Sequence, residues 1–227
     1  MPHLERLAEN IWTVAIPHSF LAMHVGTRMT VVRLSNGGLW LHSPVAMSAP
    51  VRAELDALGP VAHIVCPNLY HHVYAGDAQA AYPQALLHGP HALRPKRKDL
   101  RFDADLSDTP HADWLGELAP LSIHGCMLKE TVFFHEPSRT LITSDLVENF
   151  TSSPHWPTRM YLKACGLEGK ITWGRPYRLL YRDRKAARAC MDRLLQWPFE
   201  RVVVAHGDLI QNDAHDSIER GMAWLKT

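Results

Sequence analysis

The chain lacks an excess of either charge: 24 Lys and Arg face 23 Asp and Glu among 227 residues. That balance argues against a dedicated binder of nucleic acid or another polyanion, which needs a basic face. No apolar run approaches the ~18 residues that a bilayer-spanning helix requires, so no membrane partner is expected. The opening residues lack a basic region followed by an apolar stretch, so no signal peptide is read and the cytoplasm is the expected location. The four cysteines, Cys66, Cys126, Cys165 and Cys190, show neither CxxC spacing nor a disulfide framework. Each sits in or beside an apolar segment and is expected as a buried thiol, with Cys126 the one near a candidate site. No flavin or dinucleotide fingerprint is present.

Histidine, by contrast, is abundant, with 15 residues, and 46% of the chain is hydrophobic, ample for a core. Strand-like runs are read over residues 10–16, 29–35 and 38–42. Asn36-Gly37 between the last two signals a hairpin turn. SAPVRAELDALG predicts a helix, with Ser48 as cap, Pro50 in the first turn and Val51, Leu55 and Leu58 on one apolar face. VAHIVCP reads as a short buried strand stopped by Pro67. Residues 77–82 read as a helix and ALLHG as a further strand, giving the alternation of an α/β layer. The basic stretch HALRPKRKDLRF reads as a solvated face.

The second half repeats the rhythm. APLSIHG is a strand ending at His124, and TVFFHEPSRTLITSD is a hairpin that places His135 at the surface. Residues 149–181 lose regular periodicity and mix Trp and Tyr with Lys and Arg, the makeup of a lid or a subunit contact. Helices follow over 185–197 and 213–226, with a buried strand, ERVVVAHGD, between them. No linker divides the halves, so one domain is expected. His3, His111, His155 and His215 lie in polar stretches and are expected to be solvated.

Five residues stand where a predicted strand gives way to a loop: His71, His72, His124, Asp145 and His206. Loops on strand ends can converge in space, and imidazole nitrogen and carboxylate oxygen are ligands for zinc, iron or manganese. The four segments that carry them are VAHIVCPNLYHH, LSIHG, TLITSD and VVVAHGD. In that order, and in that strand context, the chain resembles the metallo-β-lactamase-like superfamily over most of its length. It looks like a divergent, uncharacterised branch, of the kind filed as a domain of unknown function.

The resemblance implies an α/β (α+β) fold, a four-layer αββα sandwich in which two mixed sheets pack face to face with helices outside. Where that family carries HxHxDH, this chain reads Pro67-Asn68-Leu69-Tyr70-His71-His72. Two histidines of the first metal site are thus replaced by Pro67 and Leu69, and only His124 remains of it. The second site keeps His72, Asp145 and His206, with His71 in place of a carboxylate. One divalent metal, zinc above iron or manganese, is therefore expected on His71, His72, Asp145 and His206. A second would need His18, His24 or His42. Asp145 is expected to orient a metal-bound water and His124 to move a proton, while Asp208 either holds a ligand imidazole or caps the segment that follows.

These residues imply a metal-dependent hydrolase of a small ester, thioester, amide or phosphoester. Two other readings stand beside it: a catalytically inactive binding or scaffold protein, and an iron-dependent oxidoreductase.

Overall fold

The computed structural model describes residues 2–226. Six strands come first: β1 (Glu5–Ala8), β2 (Ile11–Ile16), β3 (Ser19–Phe20), β4 (Met23–His24), β5 (Thr27–Arg33) and β6 (Leu39–His42). Helix α1 (Ala49–Leu58), β7 (Val61–Val65), α2 (Ala75–Ala81), β8 (Leu86–Gly89) and β9 (Ala104–Asp105) complete the first half. The second half runs β10 (Leu118–Ser122), β11 (Thr131–His135), β12 (Thr140–Ile142), β13 (Glu148–Asn149), α3 (Trp156–Cys165), β14 (Ile171–Thr172), α4 (Arg184–Leu194), β15 (Arg201–Val203) and α5 (Ala214–Gly221).

A seven-stranded sheet has the order β1-β2-β5-β6-β7-β8-β9, and a four-stranded sheet the order β10-β11-β12-β15. Both are mixed. Hairpins make the first part of each antiparallel, and crossovers add β7, β8, β9 and β15 in parallel. Between β5 and β6 the turn is where Asn36-Gly37 predicts it. Gly37 takes φ 86°, and Asn36 Oδ1 accepts the Gly38 amide at 2.9 Å.

Strand alternation decides what packs on what. Leu39 and Leu41 of β6 join Val51 and Leu55 of α1 on the outer face of the large sheet. Trp40, between them, points inward to meet Val65, Phe133 and Ile142 in the layer shared by both sheets. On the other side Val132, Phe134 and Leu141 of the small sheet pack under Met191 and Leu194 of α4 and Ile218 of α5. The result is the expected αββα sandwich. Each fully buried Leu, Ile or Phe contributes roughly 1.5–3 kcal/mol, so the three apolar layers dominate the stability.

Two expectations need correction here. His135 is buried at 1% exposure, because its Nδ1 finds the Ser138 hydroxyl at 2.7 Å inside the hairpin turn. The basic stretch is also less free than expected. Arg94 pairs with Asp105, Arg97 with Asp99 and Arg101 with Asp103. All four cysteines are buried and free, as expected. No helix among the described residues is long and apolar enough to cross a membrane.

Candidate metal centre

The loop after β7 is organised by one side chain. Asn68 is fully buried, and its Oδ1 accepts the backbone amides of Tyr70 and His71, both at 2.8 Å. This turn aims His71 and His72 in different directions. The Asn68 amide nitrogen donates to Ser144 Oγ at 3.0 Å and to Asp145 Oδ2 at 2.8 Å. The large sheet is thereby fastened to the end of β12. Buried Glu130 holds the same loop from below, its carboxylate accepting the amides of Ser144 and Asp145 at 2.8 and 3.0 Å.

With Oδ2 engaged, Asp145 presents Oδ1. His71 Nε2 lies 3.2 Å from it and His206 Nε2 lies 3.4 Å from it. Each ring is held by its other nitrogen. His206 Nδ1 donates to the Gly26 carbonyl at 2.8 Å, which fixes that tautomer, and His71 Nδ1 meets Ser43 Oγ at 2.7 Å. The three donor atoms lie within 4.8 Å of one another. Ligands ~2.0–2.1 Å from a tetrahedral zinc stand ~3.4 Å apart, close to the two distances seen.

The electrostatics of the cluster favour a cation. Burial alone would raise the Asp145 pKa, yet the His71 and His206 rings hold it far below the usual carboxylate range. Burial also works against protonation of His206, but the hydrogen bond to Asp145 outweighs it and raises that pKa. Burial, with Asp145 adding to it, pushes Glu130 up to about 7. Glu148 on β13 is likewise raised to about 7 by burial, and its Oε2 makes no hydrogen bond. Among the described residues no Lys or Arg pairs with these three carboxylates. Buried carboxylates of this kind are normally paired with a cation or bind a metal. The donor set therefore fits a single divalent ion.

Not every expected residue reaches the cluster. His72 lines the same cavity, but its Nδ1 faces Arg97 Nη1 at 2.9 Å. Arginine can only donate, so the proton of neutral His72 sits on Nε2 and neither nitrogen offers a free lone pair. Burial and the charges of Lys96 and Arg97 lower its pKa to about 4, which keeps the ring neutral. His124 is exposed, at the start of a turn, and is not among the residues that line the cavity. Asp208 does not orient an imidazole, since its carboxylate accepts from Thr151. Of the three histidines considered for a second site, His18 lines the cavity, His24 stacks on His155, and His42 is buried beside Trp40. None joins a group of converging donor atoms among the described residues.

Pro67 and Leu69, which stand where the expected motif has imidazoles, have a structural part of their own. Pro67 and Leu69 brace the loop, the Pro67 carbonyl accepting the Thr131 amide at 2.9 Å and the Leu69 amide reaching the Leu128 carbonyl at 3.0 Å. Around the cluster lies a cavity of about 330 Å³. Residues 149–181 supply one wall of it through Tyr161, Trp173, Tyr177 and Leu180, and Phe20, Val25 and Tyr70 supply others. Glu148, Asn68, Ser43 and Glu130 are the residues that motif order missed. Only the position of Glu148, three after Asp145 in an apolar run, carried any signal.

The family described as a domain of unknown function (DUF4336) matches residues 8–165. The chain belongs to that family. No curated protein matches it by sequence. Solved structures place this DUF4336 protein in the metallo-β-lactamase fold. A metallo-β-lactamase from Pontibacter korlensis is 14% identical, with all of both chains covered and a TM-score of 0.69. DIM-1 metallo-β-lactamase is 11% identical over 99% of this chain and 97% of its own, with a TM-score of 0.68. VMB-1 is 8% identical over 100% of this chain and 98% of its own, with a TM-score of 0.69. At these identities the likeness is one of fold. The stretch matched by DUF4336 contains His71 and Asp145 but stops before His206.

Proposed function

We propose that this protein is a metal-dependent hydrolase of a small, largely apolar substrate, holding one divalent ion, zinc by its donor set, on His71, Asp145 and His206. One observation carries the reading: two imidazole Nε2 atoms, each fixed through its Nδ1, converge on one buried carboxylate oxygen. A bound ion of this type activates water near neutral pH and polarises a carbonyl or phosphoryl oxygen.

The chain's own residues supply the rest. Glu148, raised to about 7 by burial, accepts a proton from the attacking water and returns it to the leaving group. This is the part assigned from sequence to His124, which is exposed. His71 and His206 are kept in place by Ser43 and Gly26, so the site needs little reorganisation. Phe20, Tyr161, Trp173 and Leu180 exclude water and suit an apolar or aromatic acyl group, which points to an ester or thioester. Losing one metal of a pair removes charge stabilisation that phosphodiester cleavage demands.

Metal analysis of protein purified without added metal, joined to an ester and thioester panel, tests the reading. One equivalent of zinc and zinc-dependent hydrolysis are expected. Absence of metal leaves only the scaffold alternative. Two histidines and one carboxylate are also the ligand set of non-haem iron(II) oxygenases, which favours an iron oxidoreductase as the second reading. Iron in place of zinc, with oxygen consumption, would select it.

A further inference from the structure

A second, more open pocket of about 530 Å³ lies between the end of α3, β14, the 3-10 helix Arg175–Leu180 and the end of α5. Lys170, Arg175, Arg178 and Arg220 line it, and no Asp or Glu does. In a chain whose formal net charge is only +1, four cations in one hollow are a strong local excess. Arginines on other faces, such as Arg94, Arg139 and Arg188, each meet a carboxylate. None of these four does so among the described residues.

The guanidinium groups are placed rather than loose. Arg178 Nε donates to the Trp173 carbonyl at 3.3 Å and its Nη2 to Thr172 Oγ1 at 3.4 Å, while the Trp224 ring lies 4.9 Å beneath the group. Arg220 Nη2 donates to Ser217 Oγ at 3.2 Å. Arg175 lies against Gly166, where an added Cβ would come within 3.0 Å of its Nε, and it makes no hydrogen bond among the described residues. Burial and the charges of Arg175 and Arg184 lower the Arg178 pKa, the sign of a cluster that repels itself.

Helix ends oppose part of this charge. α3 and α5 both finish at the pocket, at Gly166 and Gly221. A helix C-terminus carries about half a negative charge, so the two together offset about one cation of the four. An excess of about three remains. A phosphate monoester carries about 1.5–2 negative charges near neutral pH, so one or two phosphoryl groups suit the excess better than a lone carboxylate. Planar guanidinium forks also match phosphate oxygens bidentately.

We propose that this pocket binds a phosphate or diphosphate group, free or at the end of a small metabolite, on Arg175, Arg178, Arg220 and Lys170. The site stands independently of the hydrolase reading. It also adjoins the catalytic cavity's wall, since Trp173 and Tyr177 line the cavity while their neighbours Thr172 and Arg178 line the pocket. A ligand held here braces that wall.

Calorimetric titration of the chelator-stripped full chain with pyrophosphate at low salt tests the site with no metal in the cavity. One pyrophosphate per chain is expected, with affinity falling as NaCl is raised. Arg175→Ala/Arg220→Ala should weaken binding by about tenfold or more, because each guanidinium supplies charge-assisted bonds. Both positions are exposed, so circular dichroism should stay native. Asp145→Asn/His206→Ala should bind as the parent does, which separates this pocket from the cavity. Adenosine diphosphate distinguishes the sources of the anion: tighter binding than pyrophosphate marks a nucleotide-like metabolite, and equal or weaker binding marks the free anion. Failure of both to bind, or an affinity unchanged in Arg175→Ala/Arg220→Ala, would overturn the proposal.

Discussion

The two sheets serve the cavity unequally. The small sheet's loops bring Asp145 and His206, and β13 beside them brings Glu148. The loop from the large sheet brings one donor, His71, and otherwise contributes bracing by Pro67, Asn68 and Leu69. The difference lies in what each side supplies: Pro67, Asn68 and Leu69 hold the loop of the large sheet, whereas the small-sheet side presents a buried carboxylate whose backbone amide and second oxygen are both anchored.

The largest expected effect sets neighbour against neighbour within that loop. His71→Ala should abolish bound metal and hydrolysis together, whereas His72→Ala should keep near one equivalent and weaken substrate binding, as KM would show. Metal loss in His72→Ala would break the comparison, because the large sheet would then supply two ligands. Next in size is Glu148→Gln on the small-sheet side. It should lower kcat by about 10²-fold with metal content unchanged. In the parent protein kcat should rise with pH through about 7, as the carboxylate loses its proton, and the variant should lose that inflection.

A smaller effect compares the inner faces of the sheets. Burial lowers His42 of the large sheet to about 3 and His135 of the small sheet to about 4, against 6.5 when unfolded. The unfolded chain therefore takes up protons first. The stability that goes with these neutral rings is complete above pH 6.5 and is lost as pH falls towards 4. For His135 the loss is roughly 3 kcal/mol at pH 4. Urea midpoints measured over this range should fall with pH, and less steeply in His135→Gln. The smallest effect belongs to His124→Ala. Stability should stay within about 0.5 kcal/mol and turnover should be unchanged in the same ester assay.

The fold was legible because strand alternation and the order of four strand-end motifs are local properties of sequence. Asp145 and His206 were legible for the same reason. Which of His71 and His72 turns inward was not, since it depends on the buried Asn68 drawing in two amides. Glu148 was hidden because a carboxylate in an apolar run gains meaning only from what surrounds it.

The bond from His206 Nδ1 to the Gly26 carbonyl spans 180 positions. As the polypeptide leaves the ribosome, His71 and Asp145 emerge long before the third donor arrives. On the proposed reading a nascent or clipped chain has no finished cage, and ion capture would wait until His206 has met Gly26. A fragment cut at the border of the DUF4336 match would carry two donors of three, so experiments on function call for the longer piece.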